Sequence, residues 1–548
     1  MKWCVTLVLL LTGVGALAAF PPPQQQGQSQ TTASSTVTPE DLRATPVGAN
    51  WPSYNGDYTG RRYSTLDQIT AANVAQLQAA WVFHPGNSQR LEATPVVVRG
   101  VMYVTAANDA FALDARSGRT LWHHQRPDSA GLLDDAAAHK TRGVAVWQNS
   151  VYMETDDAHL LCLDARSGTL RWDVEYADKT KHYGATSAPL IVKDSVIVGT
   201  SGGDSGVRGF VAAYDAATGN LKWRLWTIPG PGEFGSDSWP GDAYLHGGGT
   251  TWMPGTYDPE LNALYWTTSN PAPDFFGETR PGDDLYTASV LAIDPDAGKL
   301  KWYFQFTPHD LYDYDGNQTP VLIDTLEAGT TRHLLVQANR NGFFYVLDRT
   351  SGKFLHATPF IEKLNWAKGI DPTGRPILTG RIPTADGTYI CPGIDGATNW
   401  FSPSYSPKTG LFYVMALEAC NVYFSDPKPF KRGETFYDTG TKLPPDEHSQ
   451  KILLALSLDG KTVWRYPQAG PGDSWGGILT TAGALVFFGD DSGALEAVDA
   501  ATGHVLWHFN TGNSGRELRA SPMTYAVDGV QYVAIAAGSN VFTFALPH

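Results

Sequence analysis

Short apolar runs that end in Asp, turn through Gly and resume as a second apolar run ending in Trp recur along most of this chain. The segments AFALDARSGRTLW (110–122), LLCLDARSGTLRW (160–172), VAAYDAATGNLKW (211–223), VLAIDPDAGKLKW (290–302) and LEAVDAATGHVLW (495–507) carry the full pattern. FYVLDRTSGKFLH (344–356) has His356 at the Trp position, and LLALSLDGKTVW (453–464) is one residue shorter. Each unit reads as a strand, an Asp-to-Gly hairpin turn and a second strand. Seven units are visible this way. An eighth, degenerate one is expected at 400–424 (WFSPSYSPKTGLFYVMALEACNVYF), with Trp81 in AAWVF closing the ring from the N-terminal side. The units recur about every 50 residues, longer than the ~40–45 of a minimal four-stranded blade, so the excess goes into loops. A chain of hairpins has to hide its sheet edges, and radial packing of blades does so. The expected fold is all-β, an eight-bladed β-propeller with the repeat tryptophans docked between blades.

The limits of this pattern suggest the domain boundaries. Residues 1–20 place Lys2 before an apolar run and then small residues around Ala16, Ala18 and Ala19. That is the layout of a secretory signal peptide, too short and Gly-interrupted for a membrane span of ~20 residues. Residues 21–39, rich in Pro, Gln, Ser and Thr, are expected to be a disordered linker, and residues 40–548 the propeller domain. No apolar span follows, so the mature chain is expected to be periplasmic or secreted, without an integral membrane span.

Composition agrees with many short strands: 17 Trp and 56 Gly stand beside only 4 Cys in 548 residues, which is no disulfide scaffold. The balance of 40 Lys+Arg against 55 Asp+Glu, a net charge of -15, argues against a nucleic-acid partner held by a basic surface. The absence of C-x-x-C-H excludes an attached c-type haem, and no dinucleotide fingerprint follows a strand.

The Asp, Gly and Trp repeat resembles the tryptophan-docking motif of the quinoprotein alcohol dehydrogenases, eight-bladed propellers that bind pyrroloquinoline quinone (PQQ). The resemblance covers nearly the whole chain from about residue 50, and residues outside the repeat carry the chemistry it implies. In GTSGGDSGVRG (199–209), Asp204 falls at the family's acidic metal ligand, with Ser201, Gly202 and Gly203 against the quinone. The family usually has Glu at that ligand position, one methylene longer than Asp204. In GGGTTW (247–252), Trp252 matches the ring that forms the floor under the quinone and Thr250 the hydroxyl at its edge. Asn270 in TSNPAP matches an asparagine metal ligand.

TPHDLYDYDG (307–316) concentrates Asp310, Asp313 and Asp315, which repel one another unless something cationic offsets them. On an extended segment Asp313 and Asp315 point to the same side. By resemblance Asp313 is the catalytic base and a metal ligand, and Asp315 the extra acidic ligand of lanthanide-dependent members. An added carboxylate suits a hard ion of higher charge. Arg340 in NRNGFFYVLDR matches the arginine at the quinone's C4/C5 oxygens, where it would stabilise charge developing during reduction. Glu92 in LEATP, Arg142 in TRG, Thr186 in TSAP, Asn399 in GATNW and Trp475 in SWGG complete the cofactor-binding set. Cys391 and Cys420 match a family disulfide of mainly structural role, and Cys162 is expected to be buried and unpaired. The adjacent cysteine pair that many alcohol-oxidising members hold over the quinone is missing, with Ala136 and Ala137 in its place.

The resemblance thus implies an exported enzyme that oxidises an alcohol or sugar hydroxyl with PQQ and a metal, Ca2+ or a lanthanide ion. Electrons would leave to a separate acceptor such as a c-type cytochrome. The other reading is a quinone-free propeller acting as a binding or assembly module. The lost cysteine pair and Asp204 favour it, but a scaffold has no need of Asn270, Asp313, Arg340, Trp252 and Trp475 together. A hydrolase built on Asp313 and His309 lacks an activated nucleophile beside them.

Overall fold

Each Asp-Gly-Trp segment forms the outer half of a four-stranded antiparallel meander, to one of which Tyr63–Ser64 adds a parallel fifth strand, in the computed structural model, which describes residues 36–86, 90–133, 139–327, 329–436 and 440–547. The signal peptide, nearly all of the linker, and Ala136 and Ala137 lie outside the described residues. In the first blade the strands Val96–Val98, Val101–Ala106, Asp109–Asp114 and Thr120–His124 pair in chain order as a meander. The first three are buried almost throughout, whereas the fourth is largely exposed apart from Trp122. The same meander recurs within 144–175, 190–226, 256–305, 321–359, 404–467 and 478–510.

The eighth sheet joins the C-terminal strands Met523–Val527, Val530–Ala537 and Asn540–Ala545 to Gln78–Phe83 from near the start of the fold. Trp81 therefore does close the ring. The eighth unit does not lie at 400–424. Ser404–Ser406 and Leu411–Glu418 are the inner strands of the sheet whose outer strands, Gln450–Leu456 and Thr462–Pro467, carry Trp464. The motif marks only the outer hairpin of a blade, so a hairpin without it that precedes one with it is the inner half of the same blade.

Neighbouring blades are joined by the repeat tryptophans. The indole Nε1 donates to a main-chain carbonyl of the next blade from Trp122 to Ala165 (2.9 Å), from Trp223 to Pro295 (2.8 Å) and from Trp464 to Ala500 (3.2 Å). Trp507 reaches Leu77 at 3.1 Å and Trp81 reaches Ala115 at 3.3 Å, which carries the same contact across the closure. The rings of Trp81, Trp122, Trp172, Trp223, Trp302 and Trp464 each lie against the turn glycine of the next blade. At Gly352 the backbone sits at φ +73° and a Cβ would come within 2.5 Å of the Trp302 ring. Gly352→Ala is therefore expected to cost about 1–3 kcal/mol through backbone strain and displacement of the ring. Urea unfolding with an unchanged midpoint would show that this docking contributes nothing.

Val37 and Thr38, at the end of the expected linker, already belong to the fold. Val37 is fully buried and bonds Gln148 in both directions, and Thr38 and Asp41 form a capping box on the helix Pro39–Arg43. Between the fifth and sixth blades, and within the sixth, the chain makes long excursions bearing short strands such as Thr388–Ile390 and Asn421–Tyr423. Cys391 and Cys420 are joined there by a disulfide, and Cys162 is buried and free. Among the described residues no helix is long and apolar enough to cross a membrane.

Candidate active site

A four-stranded meander returns to the same end of its blade before its first strand, between its second and third strands, and after its fourth. The candidate site residues fall at those connections and none at the Asp-to-Gly turns. Glu92, Arg142, Thr186, Thr250, Trp252, Asp313, Asp315, Asn399 and Trp475 precede first strands. Ser201, Gly202, Gly203, Asp204, Asn270 and Arg340 lie between second and third strands. Topology alone therefore brings them to one face, and one cavity collects Glu92, Arg142, Thr186, Ser201, Gly202, Gly203, Asp204, Thr250, Trp252, Asn270, Asp313, Asp315 and Arg340 in its wall.

The acidic end of this cavity is built around Arg340. Its Nη1 donates to Asp315 Oδ2 and its Nη2 to Asp313 Oδ2, both at 2.9 Å, so the two carboxylates do face the same side. Asp315 also accepts from the Asn270 backbone N–H at 2.6 Å. Burial pushes Asp313 well above the usual carboxylate range, against the pull of the Arg340 guanidinium, and Asp315 is raised for the same reason. A cation at this end would favour the ionised form of both.

Asp310, the third carboxylate of the run, does not reach the cavity. It accepts from the backbone N–H groups of Tyr312 (2.9 Å) and Tyr314 (2.7 Å), and burial raises it to about 7. Its place is that of an anchor for the loop that presents Asp313. His309 lies 3.2 Å from Asp284 and lines a different cavity, so the Asp313 and His309 pairing of a hydrolase does not form.

The opposite end is cationic and aromatic. Arg142 donates to Thr186 O at 2.7 Å and to Glu92 Oε2 at 2.9 Å. Its guanidinium stands 4.3 Å from the centre of the Trp400 ring and 5.1 Å from that of Trp252. Thr186 Oγ1 donates to Trp252 O at 3.2 Å, and the Thr250 hydroxyl is bonded to Ser269 Oγ at 2.9 Å. Gly202 sits at φ +102°, where a Cβ would come within 2.3 Å of His182 O, which explains a glycine in this turn.

The residues present fit a planar polyanion beside a hard metal ion. Ser201 Oγ, Arg142 Nε and Arg340 Nε are buried without a hydrogen-bond partner, as donors awaiting a ligand would be. Asp204, Asn270, Asp313 and Asp315 offer only oxygen ligands and amide groups, the chemistry of a hard cation. Lys140, Arg142 and Arg519 gather at the other end, where the carboxylates of a quinone would be balanced.

Two sequence candidates do not line the cavity. Asn399 is used within its own turn: its side chain donates to Asp395 O and accepts from Trp400 N. Trp475 stands behind Trp400, with ring centres 6.2 Å apart and planes tilted by 15°. Trp400 itself, Lys140, Ser269 and Arg519 complete the wall and were not singled out in the sequence. Trp400 had one available signal, its place directly after Asn399 in GATNW. Arg519 had none; the closing blade brings it beside Glu92, 3.7 Å away.

The domain described as "glucose/ethanol/alcohol dehydrogenase, beta-propeller domain", of PQQ type, matches residues 51–364 and 460–533. Over 539 residues the chain is 37% identical to quinoprotein alcohol dehydrogenase PedH of Pseudomonas putida, covering 92% of this chain and 89% of that protein. It is 35% identical over 522 residues to the lanthanide-dependent methanol dehydrogenase of Methylacidiphilum fumariolicum, covering 89% of this chain and 84% of that one. The crystal structure of quinohemoprotein alcohol dehydrogenase from Comamonas testosteroni matches with a TM-score of 0.87 at 36% identity, over 94% of this chain and 83% of that one.

Proposed function

This chain belongs to the family of quinoprotein alcohol dehydrogenases, and from that premise we propose which of its residues carry out the oxidation. It is a PQQ-dependent dehydrogenase acting on the CH–OH group of an alcohol, with calcium or a lanthanide as its metal. The observation that carries the assignment of roles is the bridge from Arg340 to both Asp313 and Asp315 at one end of a cavity whose other end is Arg142 over two tryptophans.

Asp204, Asn270, Asp313 and Asp315 would hold the metal, and Trp252, Thr250, Ser201, Gly202, Gly203, Thr186, Glu92 and Arg142 the quinone. Bound PQQ supplies the hydride acceptor and the metal a Lewis acid beside it. Asp313 acts as general base and takes the proton of the substrate hydroxyl onto its carboxylate. A neighbouring cation keeps that carboxylate ionised against the burial that raises it. Arg340 steadies Asp313 in the ground state, and its guanidinium is placed to stabilise negative charge that develops at this end of the cavity. Trp400, with Trp475 stacked behind it, gives the cavity wall a flat aromatic face.

The remaining steps concern the cell. The N-terminal segment directs export, to a periplasmic or secreted location, and electrons leave to a separate acceptor such as a c-type cytochrome. The test is reconstitution of the purified protein with PQQ plus Ca2+ or a light lanthanide, followed by dye reduction with a panel of alcohols. Turnover that requires both quinone and ion is the expected result. Failure to bind quinone with either ion would sink the role assignment, and activity with the lanthanide alone would give Asp315 its functional part.

A further inference from the structure

A second cavity, of about 560 Å3, lies on the other side of the turn that carries Asp204. Gly203–Ser205 is a single 3-10 turn. Asp204 lines the active-site cavity, whereas Ser205 and Gly206 line this one, so the turn is a shared wall.

The lining is aromatic and cationic, in a chain whose net charge is -15. Arg224 stands 4.1 Å over the Phe210 ring and Arg208 stands 4.6 Å over Trp226, the two aromatic rings meeting edge to face at 5.2 Å. Across the cavity His246 stacks on Phe430 with ring centres 3.6 Å apart. Burial lowers His246 from the usual imidazole value, which favours the neutral ring in this stack. Lys181 and Arg432 add positive charge at the rim, offset in part by Glu175 and Asp178.

Three buried polar atoms here have no partner: Ser205 Oγ, Arg224 Nε and His182 Nδ1. Ser205 is only 2% exposed. Arg224 commits its Nη2 to Tyr176 O and the Tyr214 hydroxyl, and Arg208 commits its Nε and Nη2 to Ile228 O. The guanidinium groups are thus fixed in place by the fold while the Arg224 Nε donor stays unused. Unpaired buried donors are costly and call for an acceptor. An edge-to-face pair on one side and a stacked pair on the other suit a flat ring.

We propose that this cavity is a second small-molecule site, which binds an aromatic carboxylate with its ring between Phe210, Trp226 and the His246–Phe430 pair and its carboxylate toward Arg224 and Ser205. Charge-assisted bonds from a pre-oriented guanidinium give such an anion its advantage over a neutral isostere. The site is separate from the quinone cavity and does not require it to be filled.

The test is isothermal titration calorimetry on the full-length protein loaded with PQQ and metal, so that the active-site cavity is already occupied. Benzoate is the probe, with benzamide and acetate as the neutral and the non-aromatic controls. Saturable one-to-one binding of benzoate is expected, with both controls weaker by about tenfold or more. Arg224→Gln and Phe430→Ala should each weaken benzoate by about tenfold. Thermal unfolding and dye-reductase activity verify that each variant is folded. Phe430→Ala lies on an excursion loop and keeps the proposal testable if Arg224→Gln fails to fold. No saturable benzoate binding, equal binding of benzamide, or unchanged affinity in Phe430→Ala would overturn it.

Discussion

Asp313→Asn is expected to lower kcat by about 10²–10⁴-fold, the range for loss of a general base, while the protein still binds its quinone. Asn matches Asp in shape, and its Oδ1 can still accept the bond that Arg340 Nη2 now makes to Asp313 at 2.9 Å. The loop is also held independently by Asp310, which accepts from Tyr312 N and Tyr314 N. Fold and cofactor retention should therefore survive, and only the ability to take a proton disappears. Steady-state dye reduction measures the first effect and the absorbance of bound quinone the second. Full turnover in this variant would remove Asp313 from the mechanism, and loss of the quinone together with activity would recast it as a binding residue.

Arg340→Met carries the second large effect, because it leaves two buried carboxylates without their shared counter-charge. Breaking one side of such an ion pair typically costs about 3–5 kcal/mol, more than a surface pair by a wide margin. Metal-free Arg340→Met should unfold at markedly lower urea concentration than the metal-free parent. Added Ca2+ or lanthanide should recover most of the difference, since a cation at Asp313 and Asp315 offsets the same charge. The pH dependence has a definite sign. Burial already raises both carboxylates in the folded protein, so the fold holds protons that the unfolded chain releases, and stability falls as pH rises above the unfolded carboxylate value. Removing Arg340 exaggerates this, and the defect should shrink toward acid pH. A defect that is constant with pH and insensitive to metal would mean that Arg340 acts through packing alone.

The strands and their turns were legible in the sequence because a short apolar run ended by Asp and a Gly turn is a local signal. So was the docking of Trp122, Trp223, Trp464 and Trp507, whose partners lie one blade away in a regular repeat. The segment 400–424 was misplaced for the complementary reason: an inner hairpin carries no motif, and nothing local says which outer hairpin it joins. Cys391 and Cys420 pair as the resemblance implied, across a separation of 29 residues.

The site divides along the same line. Asp313, Asp315, Arg340, Asn270 and Trp252 could be named from their segments, since each belongs to a short stretch whose residue types already point to metal or quinone chemistry. Asn399 and Trp475 were named on the same grounds, yet Trp400 holds the wall that they were expected to share. Arg519 is remote from every motif and reaches the cavity only because the ring closes, whereas Lys140 stands two residues before Arg142 and carries no motif of its own. By itself, then, the amino-acid sequence determined the repeat, the all-β class and most of the acidic and aromatic chemistry, all written in spacings of a few residues. The tertiary structure alone decided that every contributing loop lies on one face of the ring, and which side chains front the cavity rather than stand behind it. Those outcomes depend on strand pairing and on the closure of Gln78–Phe83 against Asn540–Ala545, contacts between residues hundreds of positions apart that no local pattern encodes.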